Sequence, residues 1–197
     1  MSTLRFSSLL TACLLLAGCQ VLPERPPLPA FHDFGPAPPS AGEAPPWSAV
    51  SVEAPEWLQD PMIRYRLLYA QPTQVRFYAL DRWVAPPPDL LAHRWASSRA
   101  AEGYELKIEL QGFEQVFERP DQSSVSLRFH ADAVDPMSGH SVAERVFRLS
   151  RPTRSADAAG AVEAFSGLVS QAVAQVSEWM AKLPPSERRD PQLPALR

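Results

Sequence analysis

Cysteine is nearly missing from this chain: Cys13 and Cys19 are the only two in 197 residues. Both lie near the start, so from Gln20 onward there is no thiol. Disulfide frameworks, CxxC redox chemistry, cysteine-nucleophile catalysis and thiolate metal sites are thereby excluded beyond that point. Glycine is also scarce, with eight in all. No phosphate-cradling glycine loop, dinucleotide fingerprint or GxSxG elbow occurs. His32, His93, His130 and His140 fall in four separate segments, without HxH or HExxH spacing. Asp132 and Asp135 suggest a carboxylate pair, but Asp135 precedes Pro136 and reads more simply as a turn residue. No catalytic residue, metal site or cofactor site is therefore expected. The net charge is −3, and no basic cluster is dense enough to indicate nucleic acid. After the first apolar run, none is long enough to cross a membrane.

What is present begins with Met1 to Gly18, where Arg5 precedes an apolar run from Leu9 to Ala17. That run is too short for an anchored span and reads as a secretory signal. Leu16, Ala17 and Gly18 ahead of Cys19 fit a bacterial lipobox, in which the thiol takes a diacylglyceryl group and the new amine is acylated. Cys13 would be discarded with residues 1–18. Each buried methylene is worth about 0.8 kcal/mol, so several acyl chains make membrane attachment effectively permanent. Gln20, rather than aspartate, follows the cysteine and favours sorting to the outer membrane of a Gram-negative cell. Enough chain follows for one domain with a sizeable core.

Proline is abundant between Pro23 and Pro46, at nine of 24 residues, which blocks helix and favours extended chain. Residues 19–30 read as a lipidated tether, whose leash from Gln20 to Pro29 would be about 30 Å long at ~3.1 Å per residue. The stretch AFHDFG, Ala30 to Gly35, interrupts it with two aromatics and is expected to dock as a short strand. A single domain is expected over 31–183, and a disordered tail over 184–197.

Within the domain, Val50 and Val52 share one face of a strand that ends at Pro55. Ile63, Tyr65 and Leu67 alternate with Arg64 and Arg66, and Val75, Phe77 and Ala79 alternate with Arg76 and Tyr78. Around a turn at Gln71-Pro72-Thr73-Gln74 these two runs predict a hairpin with one buried face. Three prolines then stop the strand, with Pro88 and Asp89 suited to the first turn of a helix over Asp89–Ala101. Tyr104 to Gln111 and Val125 to Ala133 alternate strictly. With the strand around Phe147 and Leu149, they predict an antiparallel meander joined at Arg119–Gln122 and Asp135–His140. Val162, Phe165, Val169, Val173, Val176, Met180 and Leu183 make an apolar helical stripe, with Asp157 near its start and Pro184-Pro185 at its end. The fold class expected is α+β: a mostly antiparallel or mixed sheet of about six strands with two helices on one face.

Aromatic and arginine residues gather at the element ends: Trp57, Tyr65, Tyr69, Tyr78, Trp83 and Trp95 with Arg64, Arg66, Arg76 and Arg82. These types are enriched in interface hot spots. Two readings stand side by side: strand aromatics in the core with arginines reaching outward, or a partner surface centred on Arg64, Arg66, Arg82 and Trp83.

The segments AFHDFGP, VSVEAPEWL, MIRYRL, VRFYALDRWVAPPPDLL and YELKIELQGFEQVF, followed by the long C-terminal helix, resemble in order the ABC-type transport auxiliary lipoprotein family. That family includes the lipoprotein of the paraquat-inducible Pqi system. The most specific piece is RFYALDRWVAPPPDLL. The resemblance implies a fold similar to the N-terminal domain of TolB. It also implies a non-catalytic lipoprotein that docks a periplasmic MCE-domain protein, with its ABC permease and ATPase, at the outer membrane for lipid transport. The membrane would be reached through the N-terminal lipid, and a homo-oligomer is possible. An outer-membrane structural or assembly lipoprotein acting on a β-barrel or peptidoglycan is the alternative. A periplasmic hydrolase is a third, disfavoured because no motif supports it.

Overall fold

A computed structural model describes residues 27–36, 45–96 and 103–185. The signal segment, Cys19 with its lipobox, most of the tether and residues 186–197 lie outside them. The elements are β1 (Ala30–His32), β2 (Trp47–Glu53), a short 3-10 turn (Glu56–Leu58), β3 (Met62–Leu67), β4 (Gln71–Trp83), α1 (Pro87–Trp95), β5 (Tyr104–Arg119), β6 (Gln122–Val134), β7 (Ser141–Pro152) and α2 (Ala158–Met180).

The expected α+β class holds, with seven strands rather than about six in one mixed sheet. The meander β5-β6-β7 is antiparallel throughout, joined first by Pro120-Asp121. β5 is long enough to hold two neighbours in succession on its other side. β2 runs parallel to its first half, Tyr104 to Glu109, and β3 runs parallel to its second half, Gln115 to Phe117. A bulge at Leu110/Gly112, opposite Arg128, separates the two halves. β4 then pairs antiparallel with β3, and β1 pairs parallel with only the last three residues of β4, Asp81 to Trp83.

Both helices cover the same face, because that face collects the apolar halves of β5 and β6 with Phe147 and Leu149 of β7. Phe113 stacks on Phe165 of α2 at 4.0 Å, Phe147 meets Trp179 at 5.9 Å, and Trp95 of α1 meets Phe129 edge-on at 5.4 Å. The Trp47 indole N–H donates to the Trp95 carbonyl at 3.0 Å, fastening β2 to α1. α1 starts at Pro87, since the missing proline N–H groups fall where a helix has no internal partner for them. Its described part ends at Trp95, and the rest of the expected Asp89–Ala101 helix lies partly among residues outside the description.

α2 opens with Asp157, whose carboxylate accepts the Gly160 N–H at 2.8 Å. The buried stripe is wider than the sequence spacing shows. Ala161, Ala164, Leu168, Ala172 and Trp179 sit in the core beside Phe165, Val169, Val176 and Met180, while Val162 and Val173 lie at its margin. Small alanines let the helix approach the sheet closely, and the contact face is centred away from Val162 and Val173.

The chain that follows β1 is pinned at one corner. The Phe34 ring packs edge-on against Trp83 and Phe113. Its carbonyl accepts from Arg94 of α1 at 2.7 Å and from the Ser166 hydroxyl of α2 at 2.7 Å.

Candidate partner-binding face

Residues directly opposite each other in neighbouring strands share a face, so register decides what the sheet shows to solvent. Tyr65 lies opposite Gln115, and Gln115 opposite Val125, a fully buried core residue. Tyr65 therefore faces the helices, and Arg64 and Arg66 face outward. Arg64 lies opposite Phe77, and Arg66 opposite Val75. By the same logic His32 and Trp83 face the helices, and Phe31, Arg82 and Met62 face outward.

This corrects the expected hairpin. The turn is Leu68–Ala70, ahead of Gln71, and the apolar alternation of β4 is on the solvent side: Val75 is 38% exposed, Phe77 44% and Leu80 47%. Tyr78 turns inward instead, where its ring lies 4.8 Å from that of Tyr65. The two runs each alternate, but alternation read strand by strand does not say which face of one matches which face of the other.

Two of the outward arginines are held in place. Arg64 is only 4% exposed. It donates to the Trp57 carbonyl and to Asp60 at 2.6 Å, and its guanidinium lies 5.4 Å from the centre of the Phe77 ring. Arg66 donates to Glu114 at 3.1 Å and to the Pro72 carbonyl at 2.9 Å. Arg82 stands opposite Phe31 and Met62, and its buried Nε has no hydrogen-bond partner among the described residues. Trp83, placed with these residues on sequence grounds, is a core residue at 1% exposure, packed on Phe34, Phe113 and Phe165. It supports the face from behind and does not form part of it. Trp57, at 56% exposure, is the outward tryptophan.

The outward face is thus divided. Its β1-β4-β3 wing carries aromatics and arginine. The β5-β6-β7 part carries Glu109, Arg128, His130, Asp132, Glu144 and Arg148, with His130 and Glu144 paired at 3.3 Å. The sequence identified the arginines but missed Phe31, Val75, Phe77 and Leu80 as exposed. The signal for Phe31, Val75 and Phe77 is the register, which places them opposite Arg82, Arg66 and Arg64.

The four histidines lie apart from one another. His32 bonds Asp81 at 2.8 Å, His130 is on β6, His93 on α1, and His140 in the β6–β7 turn. Asp135 accepts the Met137 N–H at 2.7 Å, as a turn residue does. Among the described residues, no group of three or more His, Cys, Asp or Glu is placed to hold a metal ion. A buried polar cluster lies on the helix side. The Tyr78 hydroxyl donates to Gln115 at 2.7 Å, and the Gln115 amide donates to Ser123 at 2.8 Å and to the Asp157 carbonyl at 3.3 Å. Burial, with Tyr65, Asp157 and Asp81 nearby, pushes the Tyr78 phenol well above its ordinary range. The cluster ties β4 and β5 to the start of α2.

No known protein-family model matches the chain, and no curated protein matches it. Solved structures do. The crystal structure of protein XCC0632 from Xanthomonas campestris, of the DUF330 family, superposes with a TM-score of 0.59 at 20% identity, covering 78% of this chain and 91% of that one. A crystal structure of an uncharacterised protein superposes with a TM-score of 0.53 at 12% identity, covering 78% of this chain and 99% of that one. At such identities the likeness is one of fold: the chain has the architecture of the Xanthomonas DUF330 protein over nearly the whole of that protein's length.

Proposed function

We propose that this chain is a lipid-anchored, non-catalytic docking subunit of an envelope lipid-transport system of the ABC/MCE type. In this reading it holds the periplasmic MCE-domain component at the outer membrane. The observation that supports docking most directly is the β1-β4-β3 wing, where exposed Phe31, Phe77 and Trp57 surround arginines already fixed by Asp60 and Glu114. An arginine held before binding loses little side-chain freedom when a partner arrives, and aromatic neighbours supply desolvated area. The lipobox ending at Cys19 supports the anchor, and the sequence resemblance supports the transport system. The energy for transport would come from the ATPase, so the subunit itself needs no reacting group.

The test is copurification from crosslinked envelopes. The MCE-domain protein should be recovered with the wild-type chain and largely lost with Arg66→Ala combined with Phe77→Ala. Recovery of a β-barrel protein or peptidoglycan fragments in its place would favour the structural or assembly reading. Cys19→Ser should abolish lipid labelling and release the chain from the outer-membrane fraction, and unchanged fractionation would rule out the anchor.

A further inference from the structure

The outer side of β4 is open along most of its length. β1 covers only Asp81 to Trp83, so among the described residues no strand pairs with Gln71 to Leu80 on that side. Exposed sheet edges invite another strand, and proteins usually guard them with charge or proline. The opposite edge, β7, is guarded in this way by Glu144, Arg145, Arg148, Arg151 and Pro152, all exposed. The β4 stretch has Pro72 at its start, then Val75, Phe77, Ala79 and Leu80 exposed, with Arg76 its one charge.

Among the described residues, 27–29 ahead of β1 do not close this edge. β1 runs parallel to β4, so preceding residues approach the open stretch, but Pro27 and Pro29 bring no N–H to it. Leu28 between them is 91% exposed and belongs to no strand.

We infer that Gln71–Leu80 is a strand-addition site that takes an extended segment of a partner protein, with apolar residues alternating with acidic ones. This rests on the docking reading and names the manner of docking. The apolar positions would extend the outward stripe of Val75 and Phe77. The acidic positions would fall on the other face beside Arg76, whose hydrogen bonds go to Gln74 at 3.1 Å and Gln71 at 2.7 Å rather than to a carboxylate. Main-chain hydrogen bonds supply the affinity in such complexes, and alternate side chains supply the selection. A second copy of β4 suits the edge poorly. Antiparallel pairing centred on the open stretch sets two Arg76 side chains close together, and no carboxylate occurs between Gln71 and Leu80 to offset them.

The probe is an end-blocked synthetic peptide of about nine residues alternating valine and glutamate, a length matched to a typical strand pairing. It is added to the full lipoprotein in detergent while amide hydrogen exchange is followed. Saturable slowing confined to residues 71–80 is expected, about tenfold weaker with Arg76→Glu, and restored to that variant by a valine–lysine peptide. Phe77→Lys, on the other face, provides a second variant and should also weaken binding. Unchanged exchange with either peptide overturns the inference. So does protection that rises with protein concentration and needs no peptide, the mark of self-pairing, or protection produced only by anionic phospholipid vesicles, the mark of a membrane surface. Copurification with the MCE protein is scored separately, so loss of one result leaves the other readable.

Discussion

Arg64 and Phe77 stand directly opposite each other across β3 and β4, with the guanidinium 5.4 Å from the ring centre. The ring covers a cation that is nearly removed from water, and the cation in turn keeps an aromatic ring on the outward face of the sheet.

Phe77→Leu tests that contact while keeping an apolar side chain. It should cost about 0.5–1 kcal/mol in urea denaturation, the size of a partly exposed cation–π contact. A loss of several kcal/mol would mean that the wing's fold, and not only its surface, depends on the ring.

Gly160 lies in the first turn of α2, where alanine would ordinarily stabilise a helix by about 1 kcal/mol. Here a Cβ would collide with the Ser155 backbone carbonyl. Gly160→Ala should therefore lower the unfolding midpoint, by about 1–3 kcal/mol in free energy. A gain in thermal stability would contradict the packing described.

Asp157 caps the same helix. The Gly160 N–H, then the Ser155 hydroxyl and the Ala159 N–H, hold its carboxyl below the usual carboxylate range. Asp157→Ala should cost about 1 kcal/mol at neutral pH. Because the folded-state value is depressed, the contribution is present above the unfolded value near 3.8 and fades as pH falls through the folded one. Denaturation curves of parent and variant should converge in strong acid, and a gap that persists there would assign the effect to something other than the charge.

Tyr78 provides the opposite case. Tyr78→Phe leaves the Gln115 carbonyl oxygen without the hydroxyl it accepts from, which should cost about 1–3 kcal/mol. With its folded value raised, its contribution is complete below pH about 10 and is lost as pH climbs further. The difference between ultraviolet titrations of the parent and Tyr78→Phe should show the Tyr78 phenol ionising only with unfolding.

Much of this fold was legible in the sequence, and what escaped did so for a physical reason. β5 and β6 alternate strictly because one face is core and the other is water, so Leu106, Ile108, Leu110 and Val125 to Ala133 could be assigned directly. The start of α2 was marked by Asp157. The two-in-a-row pairing of β2 and β3 on β5 was not legible, since parallel neighbours far apart in sequence leave no local pattern. Nor was the orientation of β4: Phe77 and Tyr78 are adjacent, both aromatic, and only the pairing of Arg64 with Phe77 sends one outward and the other inward. Trp83 joins the candidate face on sequence grounds as an aromatic at an element end, beside Arg82. One residue along a strand reverses the side, and the reversal puts Trp83 in the core.

The Phe34 corner has a mechanical consequence. A pull on the N-terminal segment reaches the domain through β1, three residues at the rim of the sheet, which alone would peel away under a small load. The load stops at Phe34, whose ring is seated between Trp83 and Phe113 and whose carbonyl is gripped from both helices at once. Tension on the N-terminal segment is thus shared between the helical layer and the Trp83 end of β4, so no single rim strand bears it alone.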